Sequence, residues 1–219
     1  MIKGVIFDID GVVLDSMNIW KDLGARYLKS LGAEPEEGLN EILFSMSMEQ
    51  GAEYLKDHYK LEEPTEIILE GIRRMLRDFY YDEVQAKSGA EMLMSFMKEK
   101  GLKITAATSS PRAHIEKALE RNGLLGYFDN IYTTSELGTS KHSPDIYDKA
   151  AEFMNLKSGE ILVLEDSLYA LKTAKNAGYK TAGVYDKDGE TDQAGVKEAG
   201  DIYITGLNEL VDYWEKLQD

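Results

Sequence analysis

The chain has 219 residues, of which 43% are hydrophobic and 30% are charged, enough for one folded core and a small second domain. It contains no cysteine, which excludes disulfides, thiolate nucleophiles and zinc–thiolate sites. Acidic residues outnumber basic ones by 40 to 25, and the net charge of −15 gives a surface that repels nucleic acid and anionic lipid.

The first predicted strand covers residues 3–8, a short apolar run that ends on acids. The stretch that follows, 16–81, has apolar residues at helical spacing and no strand signal. A capping box at residues 47–50 and a proline before Thr65 mark two of its helix starts. The helices predicted in this stretch are 17–31, 47 to about 58, and one that follows residues 64–65 and reaches about 79.

From residue 82 onward, predicted strands alternate with predicted helices. This alternation is typical of a parallel sheet with helices on both faces. We therefore predict an α/β fold: a Rossmann-like parallel-sheet core, residues 1–15 and 82–219, into which residues 16–81 are inserted as a helical-bundle cap. The predicted strands are 103–107, 130–133, 161–164, 180–185 and 202–205; the predicted helices are 89–99, 110–122, one that begins at residues 143–145, 167–176 and 208–217.

Asp8 and Asp10 stand two residues apart where the first predicted strand ends. If the strand continues, this spacing places both side chains on one side. One of two close carboxylates can stay ionised while the other keeps its proton, which supplies a nucleophile beside a general acid. The alternative is a charged turn, because so short a motif also matches by chance.

Other polar residues follow the later strands. Thr108 and Ser109 can cradle a phosphate with a hydroxyl and backbone N–H groups at a helix N-terminus. Lys141 can supply a fixed cation, and Glu165 with Asp166 adds oxygen ligands that suit Mg²⁺. Each has a structural alternative, helix capping or an ordinary surface lysine. Ligands bind beyond the carboxyl ends of parallel strands, so the joint placement favours a phosphoryl-transfer site.

In this order, the motifs resemble those of the haloacid dehalogenase superfamily. Residues 5–12 (VIFDIDGV) are similar to its first motif and 107–110 (ATSS) to its second. Lys141, ahead of 144–147 (PDIY), is similar to the third, and 164–167 (LEDS) to the fourth. The resemblance spans the chain, includes the position of the cap, and is closest to the sugar-phosphate phosphatase and β-phosphoglucomutase-like branch.

The resemblance implies a mechanism. Asp8 would attack phosphorus and form an aspartyl phosphate, while Asp10 would protonate the leaving oxygen and then deprotonate the hydrolytic water. Thr108 and Lys141 would hold the phosphoryl oxygens. The implied Mg²⁺ ligands are the Asp8 carboxylate, the Asp10 backbone carbonyl and Asp166, with Glu165 nearby or ligating.

Departures from the family pattern separate its branches. Ser140-Lys141-His142 stands where the family often has Gly-Lys-Pro. The dehalogenases lack the second aspartate of the first motif, so Asp10 favours phosphoryl transfer. Mutase members carry a histidine in the first cap helix and an arginine in the cap loop, and residues 16–29 and 44–48 contain neither. The sequence thus favours a phosphatase over a mutase.

We therefore predict a Mg²⁺-dependent phosphatase of a small phosphorylated metabolite, a sugar phosphate. A β-phosphoglucomutase-like mutase is the alternative, and a phospholigand-binding protein without turnover is a third hypothesis. The cap residues expected near substrate are Met17, Trp20, Ser45 and Ser47, although for Trp20 cap packing is the favoured role. No apolar run is long enough for a membrane span, and acids close to the N-terminus do not suit a signal peptide, so we expect a cytoplasmic protein without membrane partners. We also expect a monomer that does not bind nucleic acid.

Overall fold

The computed structural model describes residues 1–44 and 46–217, and the chain forms two compact units. The core unit comprises Met1–Asp15 and Val84–Asp219, and the helical unit comprises Ser16–Glu83. No helix in the described residues is long and apolar enough to cross a bilayer.

The core unit is built on six parallel strands. They are β1 (Gly4–Phe7), β2 (Lys103–Thr108), β3 (Asn130–Thr133), β4 (Ile161–Glu165), β5 (Lys180–Val184) and β6 (Ile202–Ile204). Their order in the sheet is β3-β2-β1-β4-β5-β6. The chain therefore extends first to one side of β1 and then to the other, which makes the border between β1 and β4 a topological switch point.

Continuous apolar runs form the central strands because helices cover both faces of a parallel sheet. Every residue of β1 and β4 is buried. Ile6 and Val163 pack in one cluster with Ile146 and Tyr147 from the helix at 145–154. Burying each large apolar side chain contributes about 1.5–3 kcal/mol to the stability of the folded state, so this cluster holds β1 and β4 in place.

The described helices follow in chain order. They are α1 (Met17–Ser30), α2 (Leu39–Phe44), α3 (Met48–Tyr59), α4 (Thr65–Asp78), α5 (Ala90–Glu99), α6 (Arg112–Arg121), α7 (Thr134–Leu137), α8 (Asp145–Met154), α9 (Leu168–Asn176), α10 (Gln193–Ala199) and α11 (Glu209–Leu217). The helical unit holds α1 to α4 and a π-helical segment, Phe79–Glu83. The capping box of α3 is confirmed, since Gln50 N donates to Ser47 Oγ and Ser47 N to Gln50 Oε1.

The start of α6 differs from the prediction of a helix over residues 110–122. Pro111 has φ −59° and ψ 134°, an extended conformation, and the helix begins after it at Arg112. Ser110 instead directs its hydroxyl to Asp10. The Ser110 side chain therefore bonds to a residue far away in the chain and does not belong to the helix that the local sequence predicts.

Candidate active site

The ends of three neighbouring strands bring the predicted acids and hydroxyls together. The strands are in register, since Phe7 pairs with Ala106 of β2 and with Leu164 of β4. Asp8 consequently emerges beside the end of β2 and beside Glu165. This location is the topological switch point, where ligands of open parallel sheets bind.

Lys141 links two of the carboxylates. Its Nζ lies 2.5 Å from Asp8 Oδ1 and 2.6 Å from Glu165 Oε1, and the side chain is only 4% exposed. Burial by itself would lower the pKa of Lys141, but the adjacent carboxylates of Asp8 and Glu165 raise it above its ordinary value. The lysine therefore stays charged and fixes the orientation of both acids.

Tyr147 is a site residue that the sequence did not reveal. It lies on the buried face of α8, and its hydroxyl donates to Glu165 Oε1 at 2.8 Å. Ser167 Oγ is 3.5 Å from the other oxygen of Glu165. Helical periodicity marks Tyr147 as a core residue, and its hydroxyl is the one feature that hints at a polar partner, because buried Tyr hydroxyls are usually hydrogen-bonded.

Asp10 is held by a serine that follows β2. Ser110 Oγ donates to Asp10 Oδ2 at 2.6 Å, and Ser110 N donates to Thr108 Oγ1 at 3.1 Å. Thr108 is fully buried, whereas Ser109 is exposed. The two hydroxyls predicted as a phosphate cradle thus differ in environment, and the adjacent Ser110 is the one that contacts an acid.

Three acids form a cluster that fits a divalent cation. Asp8, Glu165 and Asp166 are buried, and each places a carboxylate oxygen within 4.8 Å of the others. Hard oxygen ligands at this spacing are those that Mg²⁺ and Ca²⁺ prefer. Burial raises the pKa of Asp8, and burial together with Glu165 raises the pKa of Asp166 to about 7. A bound cation would offset the negative charge of Glu165 that helps to raise the pKa of Asp166.

The helical unit contains a cavity of about 400 Å³. Most of its lining is apolar, and Met17, Trp20 and Ser47 are part of it. Ser45, the fourth residue predicted to contact substrate, lies outside the described residues. Three of the predicted helical-unit residues thus share one pocket.

Comparisons with known proteins agree with this geometry. Residues 5–184 match the family model of the haloacid dehalogenase-like hydrolases. The sequence is 30% identical, over 99% of each chain, to a Clostridium perfringens protein provisionally named pyrophosphatase PpaX. It is 26% identical to the phosphorylated carbohydrates phosphatase of Thermotoga maritima, over 80% of this chain and 82% of the other.

Among solved structures, the fold is similar to a Thermotoga maritima protein provisionally described as a β-phosphoglucomutase. The TM-score is 0.87, with 24% identity over 98% of this chain and 99% of that one. At this identity the likeness shows the fold, while the family match and the relatives named as phosphatases show the class of enzyme. The chain belongs to the haloacid dehalogenase-like hydrolases and is a phosphatase of that family.

Proposed function

We propose that the protein is a Mg²⁺-dependent phosphatase that hydrolyses the phosphate monoester of a small metabolite, a sugar phosphate, through an aspartyl phosphate on Asp8. The observation that carries this proposal is the arrangement around Asp8. Its carboxylate accepts a hydrogen bond from Lys141 at the switch point of the sheet. The Asp10 side chain, two residues further along the chain, accepts a hydrogen bond from Ser110 instead. Two acids with different partners can serve as nucleophile and as acid/base.

The proposed reaction has two steps. In the first, an Asp8 oxygen bonds to phosphorus as the bond to the leaving alcohol oxygen breaks, and Asp10 gives that oxygen a proton. In the second, water attacks phosphorus, Asp10 takes a proton from it, and the bond between Asp8 and phosphorus breaks. Lys141 and the hydroxyl of Thr108 are the proposed contacts for the phosphoryl oxygens. The exposed Ser109 is a further proposed phosphate contact.

Haloacid dehalogenase-like enzymes generally use a divalent metal. We assign its binding to Asp8, Asp166 and the backbone carbonyl of Asp10, with Glu165 as a neighbouring or direct ligand; the clustered oxygens of the three carboxylates support this assignment. When bound, Mg²⁺ would neutralise charge on the phosphoryl group and the acids around it.

The sugar-phosphate assignment rests on the relative that acts on phosphorylated carbohydrates. Trp20 and Ser47 in the helical unit are our candidates for sugar contacts, because a ring can cover the apolar face of a sugar and a hydroxyl can bond its oxygens. Trp20 is 41% exposed, which leaves part of its ring available to a ligand.

The test is a phosphate-release screen with Mg²⁺ over sugar, nucleotide and other small monophosphates. Wild type is compared with Asp8→Asn and with Asp212→Asn, the same substitution at an exposed residue of α11. We expect sugar phosphates to be the best substrates, full activity in Asp212→Asn, and a loss of about 1000-fold or more in Asp8→Asn. Equal activity in all three proteins would rule out Asp8 as nucleophile, and release that requires a bisphosphate activator would point to a mutase.

A further inference from the structure

The loop that follows β5 packs directly against Asp166. A Cβ atom added at Gly189 would stand 2.8 Å from Asp166 Oδ2 and 3.2 Å from Asp186 Cβ. Gly189 is not among the glycines with a left-handed backbone, so its missing side chain matters for space and not for conformation. Any larger residue at this position would push the Asp166 carboxylate out of its present orientation.

An ion pair between a partly exposed lysine and a buried aspartate anchors the same loop. Asp186 is 3% exposed, and its Oδ2 lies 2.7 Å from Lys87 Nζ. Lys87 also donates to the carbonyl of Tyr185 at 2.9 Å, and Asp186 Oδ1 accepts from Asp188 N at 2.8 Å. Such a pair is maintained when both charges are hydrogen-bonded in this way, and it places no net charge beside Asp166.

Glu190 connects the loop to the start of α9, which follows Asp166. Its Oε2 accepts from Leu168 N, the first residue of α9, at 3.2 Å, and its Oε1 accepts from Asp192 N at 3.1 Å. Because α9 begins two residues after Asp166, the loop holds both the carboxylate and the backbone that carries it.

We propose that residues 186–190 are a positioning element for Asp166 and set the carboxylate orientation that binds the divalent cation. The inference rests on the proposed function, in which Asp166 is a cation ligand. Residues that orient a ligand without touching the metal typically change metal affinity by about 10- to 100-fold when they are replaced. Residues 186–190 therefore control cation affinity through packing and through the Lys87–Asp186 pair.

The experiment is a calorimetric Mg²⁺ titration of the full-length, substrate-free protein, with the Tm of the metal-free protein measured alongside. Gly189→Ala is expected to weaken Mg²⁺ binding by about tenfold or more. Its metal-free Tm should change little, because the end of the Asp166 side chain can turn away from the added methyl group. Gly159→Ala is the matched control: its Cβ would meet no atom within 4 Å and its backbone is not left-handed, so both values should stay at wild type.

A second variant tests the ion pair of the loop. Asp186→Asn keeps the size of the side chain but leaves the Lys87 cation unpaired beside Asp166, and this should also weaken Mg²⁺ binding. Asp166→Ala serves as the reference for a lost ligand. Wild-type affinity in Gly189→Ala and Asp186→Asn, with weakened binding in Asp166→Ala, would overturn the positioning role alone. Wild-type affinity in Asp166→Ala would instead show that the proposed cation site is wrong.

Discussion

Single residues in the core unit depend on partners far away in the chain. Ser110 and Asp10 are 100 residues apart, and Tyr147 and Glu165 belong to different elements. Motif patterns predicted Asp8, Lys141, Glu165 and Asp166 as one cluster because each follows a strand. They did not predict Ser110 or Tyr147, because a serine before a proline resembles a cap and a tyrosine on an apolar helix face resembles core packing.

Tyr147→Phe tests whether this hydroxyl matters for the site. It removes the donor to Glu165 while the ring remains, and the free energy of unfolding should fall by about 1.5–3 kcal/mol because the acceptor is charged and buried. Urea denaturation measures this change, and kcat should fall as Glu165 loses a fixed partner. Tyr179→Phe is the control, since its hydroxyl donates to Asp148 at 2.7 Å and lies outside the acid cluster. It should lose stability and keep its kcat; equal kcat in the two variants would contradict a role for Tyr147 at the site.

Ser110→Ala tests the support of Asp10. Loss of the hydroxyl removes the 2.6 Å hydrogen bond from Ser110 to Asp10, and an intramolecular hydrogen bond contributes about 0.5–1.5 kcal/mol. We expect kcat to fall by about tenfold or more with a smaller change in KM, because in the proposed reaction Asp10 acts on the leaving oxygen and on water. Steady-state kinetics on the best sugar phosphate measures both values. A changed KM with an unchanged kcat would place Ser110 in substrate binding.

At the scale of elements, apolar runs predicted all six strands to within about two residues, because the central strands are buried on both faces. The short helices α2, α7 and α10 were not predicted. They have 6, 4 and 7 residues, too few for the periodicity by which longer helices are recognised. Their formation depends on tertiary packing, which a local pattern does not contain.

Packing between α1 and α4 in the helical unit gives a prediction at this scale. A Cβ at Gly71 of α4 would lie 2.5 Å from the ring of Tyr27 in α1, whereas a Cβ at Gly51 of α3 would meet its nearest atom at 3.7 Å. Gly71→Ala should destabilise the protein by about 1–3 kcal/mol through overpacking. Gly51→Ala should be neutral or stabilising by up to about 1 kcal/mol, because alanine favours the helix. Urea denaturation compares the two, and equal effects would contradict the close contact of α1 with α4.

The whole molecule carries a net charge of −15, so the balance of positive and negative charges around Asp8 determines how the acids there hold their protons. Burial raises the pKa of Asp8, and burial with Glu165 raises that of Asp166 from 3.8 to about 7. The folded state thus holds these protons more tightly than the unfolded chain. The contribution of Asp166 to the free energy of unfolding is present below about pH 4 and is lost as the pH rises to about 7, and the contribution of Asp8 is likewise lost as the pH rises through its raised pKa.

At the proposed cation site, Mg²⁺ should reverse this loss, because it would bind the ionised carboxylates and compete with their protons. We expect the rise in Tm on adding Mg²⁺ to be small at about pH 5 and to grow through about pH 7. Thermal unfolding with and without Mg²⁺ measures the shift, and Asp166→Asn should reduce its pH dependence. A Tm shift that is independent of pH would contradict competition at these acids.

The most direct test of the proposed chemistry is the Asp10→Asn variant with p-nitrophenyl phosphate. Nitrophenolate leaves without a proton, so Asp8 should still be phosphorylated, whereas hydrolysis of the aspartyl phosphate should stall because no base activates the water. Rapid-mixing absorbance should show a burst of about one nitrophenolate per chain, and mass spectrometry should find the phosphoryl group on the peptide that contains Asp8. Steady hydrolysis without a burst, together with an unmodified Asp8, would contradict the aspartyl-phosphate mechanism.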